Sequence, residues 1–124
     1  MIAPKPPDET ARLQLLLESE ILDTAPEYAF DEVVKLVSQV CDVPIALVSL
    51  VDDTRQWFKA VVGLDIRETS RDWAFCAHAI LEPGTTLVVP DATVDVRFSD
   101  NPLVTGHPDI RFYTGVPQIG RAHV

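Results

Sequence analysis

The stretch that decides the fold is residues 45–63, IALVSLVDDTRQWFKAVVG. Its first part, Ile45 to Val51, is a β-branched and aliphatic run of strand length. Turn-forming residues follow at Asp52-Asp53-Thr54, and a second apolar run, Trp57 to Val62, ends at Gly63. Two such runs separated by a turn predict an antiparallel hairpin, or two strands that lie near each other in an antiparallel sheet.

Two helical patterns precede this hairpin. The segment from Asp8 to Glu20 places its leucines on one side of a predicted helix. Thr24 and Glu27 have the spacing of a capping box, which predicts the start of a second helix. The apolar residues of this second helix recur with a period of 3.6 residues and predict one buried face, which comprises Phe30, Val33, Val34, Val37, Val40 and Cys41, with Leu36 at its edge.

The chain after the hairpin is less regular. Asp65 to Asp72 is charged and is predicted to be irregular, whereas Trp73 to Leu81 contains no Gly or Pro and predicts a third helix. Leu87 to Val89 predicts a short strand, and Ile110 to Val116 a last one. Between them, the prolines of Pro90 to Pro108 leave room only for turns or single helical turns. This order of elements predicts an α+β fold with an antiparallel sheet.

Composition and charge exclude several classes of protein. A chain of 124 residues with 47% hydrophobic and 23% charged residues fits one globular domain. Its net charge of −9 repels phosphate, so we expect no nucleic-acid partner and no membrane contact. No apolar run has the length of a bilayer span, and no signal peptide is visible, so we expect a cytoplasmic domain.

The residues best suited to catalysis or metal binding lie between Arg71 and His78. Cys76 and His78 are a candidate nucleophile and base, or two metal ligands, but residues two apart on a helix point to different sides. A zinc site needs about four ligands, and the remaining Cys and His residues lack ligand spacing, so we predict no metal site. The residues alone favour Cys76 as a small packed side chain and His78 as a hydrogen-bonded one.

Arginines are the stronger candidates for binding an anion, with ion-paired surface arginines as the alternative. They are Arg55, Arg71, Arg97 and Arg111. Asp91 and Asp95 are predicted to form turns, because Asp side chains accept hydrogen bonds from the backbone just ahead. These residues do not, by themselves, identify a function beyond that of a globular α+β domain.

Longer strings of residues carry a family resemblance from about residue 10 to residue 117. In order they are ILDT at 21–24, SLVD at 49–52, RQWFKA at 55–60, FCAHAI at 75–80, VPDAT at 89–93, DNPLV at 100–104 and RFY at 111–113. Together they resemble the GAF domains at the N-terminus of bacterial signalling proteins such as sensor histidine kinases and diguanylate cyclases.

The resemblance implies a GAF/PAS-like antiparallel sheet that is flanked by helices on one side and carries a pocket on the other side. It implies a sensory or regulatory domain that binds a small molecule or a redox signal and controls a C-terminal output domain, a histidine kinase or a diguanylate cyclase. The ligand and any cofactor are unidentified, and no catalytic residue is recognisable. The candidate ligand-binding residues are Arg71, Phe75, Cys76, His78 and Tyr113.

Two alternatives stay open at this point. One is a Cys76-dependent redox enzyme of the GAF methionine sulfoxide reductase type, although the cysteines of that type do not match convincingly. The other is a ligand-free dimerisation module paired through the helix from Asp8 to Glu20. Independently of these alternatives, we expect the full-length protein to be a homodimer.

The C-terminal part departs from the family pattern. A GAF domain normally continues beyond a segment such as Tyr113 to Pro117 into a glycine-containing hairpin and two central strands. Residues 119–124, IGRAHV, instead resemble a translated sequencing adapter. We therefore expect a flexible leader at 1–9, a C-terminally incomplete GAF domain at 10–118 and an artefactual tail at 119–124.

Overall fold

Helices and antiparallel sheets alternate along residues 1–117, the part of the chain that a computed structural model describes. The predicted tail at 119–124 lies outside these residues. The elements are α1 Glu9–Ser19, α2 Tyr28–Cys41, β1 Ala46–Val51, β2 Arg55–Val62, β3 Glu68–Ser70, a 3-10 turn Arg71–Trp73, α3 Phe75–Ala79, β4 Leu87–Val89, α4 Pro102–Thr105 and β5 Tyr113–Gly115. The fold is α+β with antiparallel pairing, as predicted.

The hairpin predicted from residues 45–63 is confirmed as β1 and β2. Its register changes between Val48, which faces Ala60, and Ser49, which faces Phe58. Lys59 therefore has no partner on β1 and forms a β-bulge. The third strand, β3, pairs antiparallel with β2 on the side away from β1, so β1 and β3 are the edges of this sheet in the described residues.

Strand β3 lies in the segment that the sequence predicts to be irregular. Glu68, Thr69 and Ser70 contain no apolar alternation, so nothing in this tripeptide indicates a strand. Pairing with β2 determines its conformation instead. The predicted strands near residues 87 and 113 are present as β4 and β5, which form a separate two-stranded antiparallel sheet.

Three groups of buried side chains hold these elements together. Trp57 packs between the α1 residue Leu16 and Leu50, and Ala60 packs against Val34 of α2. The third group lies under the second sheet and consists of Phe75, Val89, Ala92, Phe98 and Val104. Strand β2 therefore carries α1 and α2, whereas the segment after residue 74 forms its own core with β4 and β5.

The prediction of one wide buried face on α2 is wrong for the described residues. Only Val34 is buried and Phe30 is partly buried, because α2 contacts the sheet along positions spaced four residues apart. The other predicted face residues are exposed: Val33, Val37, Val40 and Cys41, together with Leu36.

The predicted capping box before α2 is also wrong, because Lys59 engages both of its residues. Glu27 is the N-cap residue, but its side chain makes no capping hydrogen bond. The Lys59 ammonium is 1% exposed and donates to Thr24 Oγ1 and Ala25 O at 2.7 Å, and it lies 2.6 Å from the Glu27 carboxylate. The bulge that frees Lys59 from the strand ladder thus fixes the connection between α1 and α2.

The third helix is shorter than predicted. The 3-10 turn covers residues 71–73, and α3 ends at Ala79 rather than near Leu81. The loop after Pro90 contains turns and one short helix, as predicted, and the Asp91 and Asp95 carboxylates accept hydrogen bonds from backbone N–H groups two residues ahead. Within residues 1–117, no helix is long and apolar enough to cross a lipid bilayer.

Candidate functional site

A cluster of polar side chains surrounds the sulfur of Cys76 in the interior between the two sheets. Ser49 Oγ donates to Sγ at 3.2 Å, and Gln56 Nε2 donates to the same sulfur at 3.0 Å. The Tyr113 hydroxyl lies 3.2 Å from Sγ on another side. Gln56 is only 5% exposed, and its Nε2 also donates to Ser49 Oγ at 3.1 Å. We call Ser49, Gln56, Thr69, Cys76 and Tyr113 the Cys76 cluster.

The sheet register brings the polar strand residues to one face. Gln56 is the direct partner of Thr69 on β3, and directly opposed residues project their side chains to the same side of a sheet. Thr69 Oγ1 donates to Gln56 Oε1 at 3.3 Å, so both ends of the buried amide are bonded. On β1, Ser49 lies two residues from Val51, the partner of Gln56, and therefore shares its face.

Aromatic rings form the side of the cluster toward the second core. Phe75 and Phe98 are stacked with centroids 4.2 Å apart, and Tyr113 lies 4.9 Å from Phe75. Burial, followed by the neighbouring Cys76, raises the pKa of Tyr113 well above its usual range, so the phenol stays protonated at neutral pH. Gly115 leaves room for it, since a Cβ at that position would overlap the Tyr113 ring and hydroxyl.

An open groove of about 540 Å³ runs between β3 and α4, next to the Cys76 cluster. Its lining residues are Thr54, Arg55, Ile66, Glu68, Thr69, Ser70, Trp73 and Leu103. Thr69 belongs to both features, because it lines the groove and donates to the buried Gln56. The groove is open to solvent and reaches the polar cluster through the Thr69 side chain.

Three of the five predicted ligand-binding residues meet in this region, and two do not. Phe75, Cys76 and Tyr113 are in mutual contact. His78 bonds through Nε2 to Met1 O at 3.0 Å and packs edge-on against Phe98. Burial is the main cause that lowers the pKa of His78. Cys76 and His78 thus have different partners and do not form a nucleophile–base pair.

Arg71 lies away from the Cys76 cluster, in an ion pair with Glu9 of α1. Its Nη1 is 2.5 Å from Glu9 Oε1 and also donates to the carbonyl of Asp52 at 3.1 Å. Arg12 contacts the same carboxylate at 2.7 Å. Burial raises the pKa of Glu9, but the hydrogen bonds from Arg71 and Arg12 outweigh it and hold this pKa at about 2.

The other candidate arginines are bound within the chain as well. Arg55 contacts the carboxylates of Asp23, Asp52 and Glu68 at 2.7, 3.1 and 3.2 Å. Arg97 pairs with Asp95 at 2.8 Å, and Arg111 donates to the carbonyl of Val104 at 2.9 Å. The alternative of ion-paired arginines therefore describes Arg55, Arg71 and Arg97.

Sequence reasoning missed Ser49, Gln56 and Thr69 as site residues. A usable signal was present for two of them, because Ser49 interrupts an aliphatic strand and Gln56 precedes a run of buried residues. A polar side chain at a buried strand position needs a partner. For Thr69 there was no such signal, because the strand that contains it was itself unpredicted.

Neither a metal centre nor a disulfide is formed by the described residues. Among residues 1–117, no three His, Cys, Asp or Glu side chains come together to hold a metal ion. Cys41 is a free, exposed thiol on α2, and Cys76 is a free, half-buried one.

Comparison with known proteins agrees with the fold. The sequence pattern of the GAF domain matches residues 25–124. A cyclic di-GMP phosphodiesterase of Pseudomonas aeruginosa is 46% identical over 114 residues, which cover 92% of this chain. The same alignment covers 19% of the phosphodiesterase, so the chain spans about a fifth of the length of this relative.

Proposed function

The chain belongs to the GAF domain family, and on that premise we propose that it is a sensory domain that binds a small molecule at the Cys76 cluster and the adjoining groove. The observation that carries this proposal is the buried amide of Gln56, which is bonded at both ends within a set of four other polar side chains. A buried amide that is bonded at both ends holds its polar neighbours in fixed positions, and small-molecule sites place a few fixed polar groups among apolar and aromatic side chains.

The geometry supports a way for binding to reach the helices. Gln56 lies in the cluster, and the next residue on β2, Trp57, packs against Leu16 of α1. Three residues after Gln56, Lys59 holds the α1–α2 connection. A ligand that moves Gln56 acts on the same strand that positions both helices, so it shifts the population between two arrangements of the domain.

The output that this domain controls is also part of the proposal. The relative from Pseudomonas aeruginosa is named a cyclic di-GMP phosphodiesterase, which supports an output that hydrolyses cyclic di-GMP. The family resemblance supports a histidine kinase or a diguanylate cyclase as alternatives. In each case the catalytic residues belong to the output domain, and this chain supplies regulation.

The test uses a metabolite library and the melting temperature of the protein. We expect a compound that raises the melting temperature of the wild type, and no rise in Gln56→Leu or Cys76→Ala. Cys41→Ala is the matched control, because it removes an exposed thiol far outside the cluster's contacts. If every stabilising compound acts equally on the wild type and on Gln56→Leu, the cluster is not the binding site.

A redox role of Cys76 is the second candidate, favoured by the three polar groups within 3.2 Å of its sulfur. The thiolate is the reactive form of a cysteine. A redox enzyme predicts rapid modification of Cys76 by a thiol reagent at neutral pH, whereas a packed structural thiol reacts slowly. Mass spectrometry of the modified protein separates Cys76 from the exposed Cys41.

Dimerisation through α1 is a third candidate, for which exposed leucines are the specific observation. Leu15 is 39% and Leu17 is 64% exposed, while Leu16 between them is buried. Leu17→Glu should convert a dimer to a monomer in light scattering without changing the melting temperature shift caused by a ligand. A protein that is monomeric before the substitution would exclude this role.

A further inference from the structure

We propose that the groove between β3 and α4 binds a planar molecule that carries no negative charge. This inference rests on the proposed function, since it names the class of ligand that the sensory site takes. Three independent features of the groove support it, namely an exposed aromatic surface, an unpaired strand edge and the distribution of charge.

Apolar side chains line one wall of the groove. Trp73 is 44% exposed and Ile66 is 41% exposed, and both border the same hollow as Leu103. An exposed indole beside other apolar side chains offers a surface on which a flat ring can stack. A planar ligand buries more of this surface than a branched or extended one of equal size.

The free edge of β3 supplies hydrogen-bonding groups in residues that also line the groove. Phe58 N donates to Arg67 O, and Arg71 N donates to Thr54 O, so residues 67, 69 and 71 direct their backbone groups toward β2. The N–H and C=O groups of Glu68 and Ser70 therefore point away from β2. Within residues 1–117 they have no hydrogen-bond partner. A ring with a neighbouring donor and acceptor can pair with such an edge.

Charge excludes an anionic ligand from the groove. Arg55 is the one basic residue among the groove's described lining residues, and its guanidinium already contacts Asp23, Asp52 and Glu68. Three carboxylates around one guanidinium leave this end of the groove negative, in a chain whose net charge is −9. A phosphate or carboxylate would meet repulsion and no free cation, whereas a neutral or cationic ring would not.

The experiment compares three flat probes that differ mainly in charge, namely benzamide, benzamidine and benzoate. Ligand-observed NMR titrations of the whole protein should give saturable binding of benzamide and benzamidine, with benzoate at least tenfold weaker. Trp73→Ala should weaken the binding of both by tenfold or more. Tyr28→Ala is the matched control, because it removes an aromatic side chain that is 78% exposed on another part of the surface.

A charge reversal at the groove provides a second, independent readout. Glu68→Lys should reduce or invert the difference in affinity between benzamide and benzoate, because it removes a carboxylate of the groove and adds a cation. Benzoate binding equal to that of benzamide in the wild type overturns the proposal, and so does unchanged binding in Trp73→Ala. Self-association that buries Trp73 also overturns it, since a second copy would then occupy the groove.

The outcomes separate this inference from the proposed function. If the probes bind as expected but no compound acts through Gln56, the groove has the stated chemistry and the sensory role is wrong. If the rise in melting temperature depends on Gln56 while the probes bind Trp73→Ala as tightly as the wild type, the sensory role stands and the proposed ligand class is wrong.

Discussion

Replacing Glu9 by Gln tests the ion-pair network that joins α1 to the β1–β2 turn. Glu9 is 13% exposed and accepts from both Arg71, which is 8% exposed, and Arg12. Gln keeps the size of the side chain but removes its charge, so a buried guanidinium loses its counter-ion. Breaking a buried pair by removing one partner costs about 3–5 kcal/mol.

The pKa of Glu9 gives a separate value for the same interaction. The network lowers this pKa from its ordinary 4.5 to about 2, which corresponds to about 3 kcal/mol of stability. Because the folded-state pKa is the lower one, this stability is fully present above pH 4.5 and is lost as the pH falls through 2. We therefore expect Glu9→Gln to lose about 3 kcal/mol at neutral pH and roughly half of that at pH 3.

The assay is urea unfolding followed by tryptophan fluorescence. Trp57 is 5% exposed and packs against Leu16, so it reports directly on the contact of α1 with the sheet. Glu18→Gln is the control, because this exposed carboxylate on the same helix accepts, among residues 1–117, from the Gln14 side chain alone. A loss at Glu9 no larger than that at Glu18, or a loss that does not shrink with falling pH, refutes the reasoning.

Three further predictions concern the bulge, a glycine and a histidine. Lys59→Met should cost about 2 kcal/mol of unfolding free energy, since it removes the charge-assisted hydrogen bonds by which Lys59 holds the α1–α2 connection, whereas the exposed Lys35→Met should cost less than about 0.5 kcal/mol. Gly63→Ala should cost more than about 1 kcal/mol of unfolding free energy, because Gly63 has φ +86° and a Cβ would overlap a backbone carbonyl oxygen. A Cβ at Gly84 meets no other atom, so Gly84→Ala should be neutral or slightly stabilising, and thermal melts of the two variants measure the difference. Burial lowers the pKa of His78 below its usual 6.5, so its contribution to stability is complete above pH 6.5 and declines below it. His78→Gln should remove that part of the pH dependence, and an NMR titration of His78 with a midpoint above 6.5 would contradict it.

Elements with strong local patterns were predictable from the sequence. The β1–β2 hairpin and α2 follow from periodicity and turn residues, and both lie within a few residues of their predicted bounds. Strand β3 was not predictable, because Glu68–Ser70 forms a strand only through its pairing with Gln56 and its neighbours on β2. In this segment, pairing with the neighbouring strand determines the backbone conformation, which the local sequence does not.

The helix start before α2 shows the same effect for side chains. Thr24 and Glu27 have the spacing of a capping box, yet Lys59, which lies 35 residues away from Thr24, donates a hydrogen bond to the Thr24 hydroxyl. That lysine reaches the connection because the bulge in β2 frees it from the strand ladder. Bulge positions depend on register, which a single sequence does not reveal.

The candidate site was predicted in part for a similar reason. Phe75 and Cys76 are close in sequence and near Tyr113 in the structure, so a local motif pointed to the region that contains the Cys76 cluster. Arg71 belonged to the same motif, but its partner Glu9 is 62 residues away. An arginine's role depends on which carboxylate pairs with it in the folded protein, and that carboxylate cannot be identified from the motif alone.

Arg12, Arg55 and Arg71 bind carboxylates and carbonyls of the protein itself, and this connects the groove's charge preference with stability. Arg12 donates to the carbonyl of Val51, Arg71 to that of Asp52, and Arg55 to the carboxylate of Asp52, so all three hold the β1–β2 turn. An anion that bound Arg55 in the groove would have to compete with these contacts and loosen the turn. A neutral or cationic ring leaves them intact, and therefore the arrangement that stabilises the turn also selects against anionic ligands.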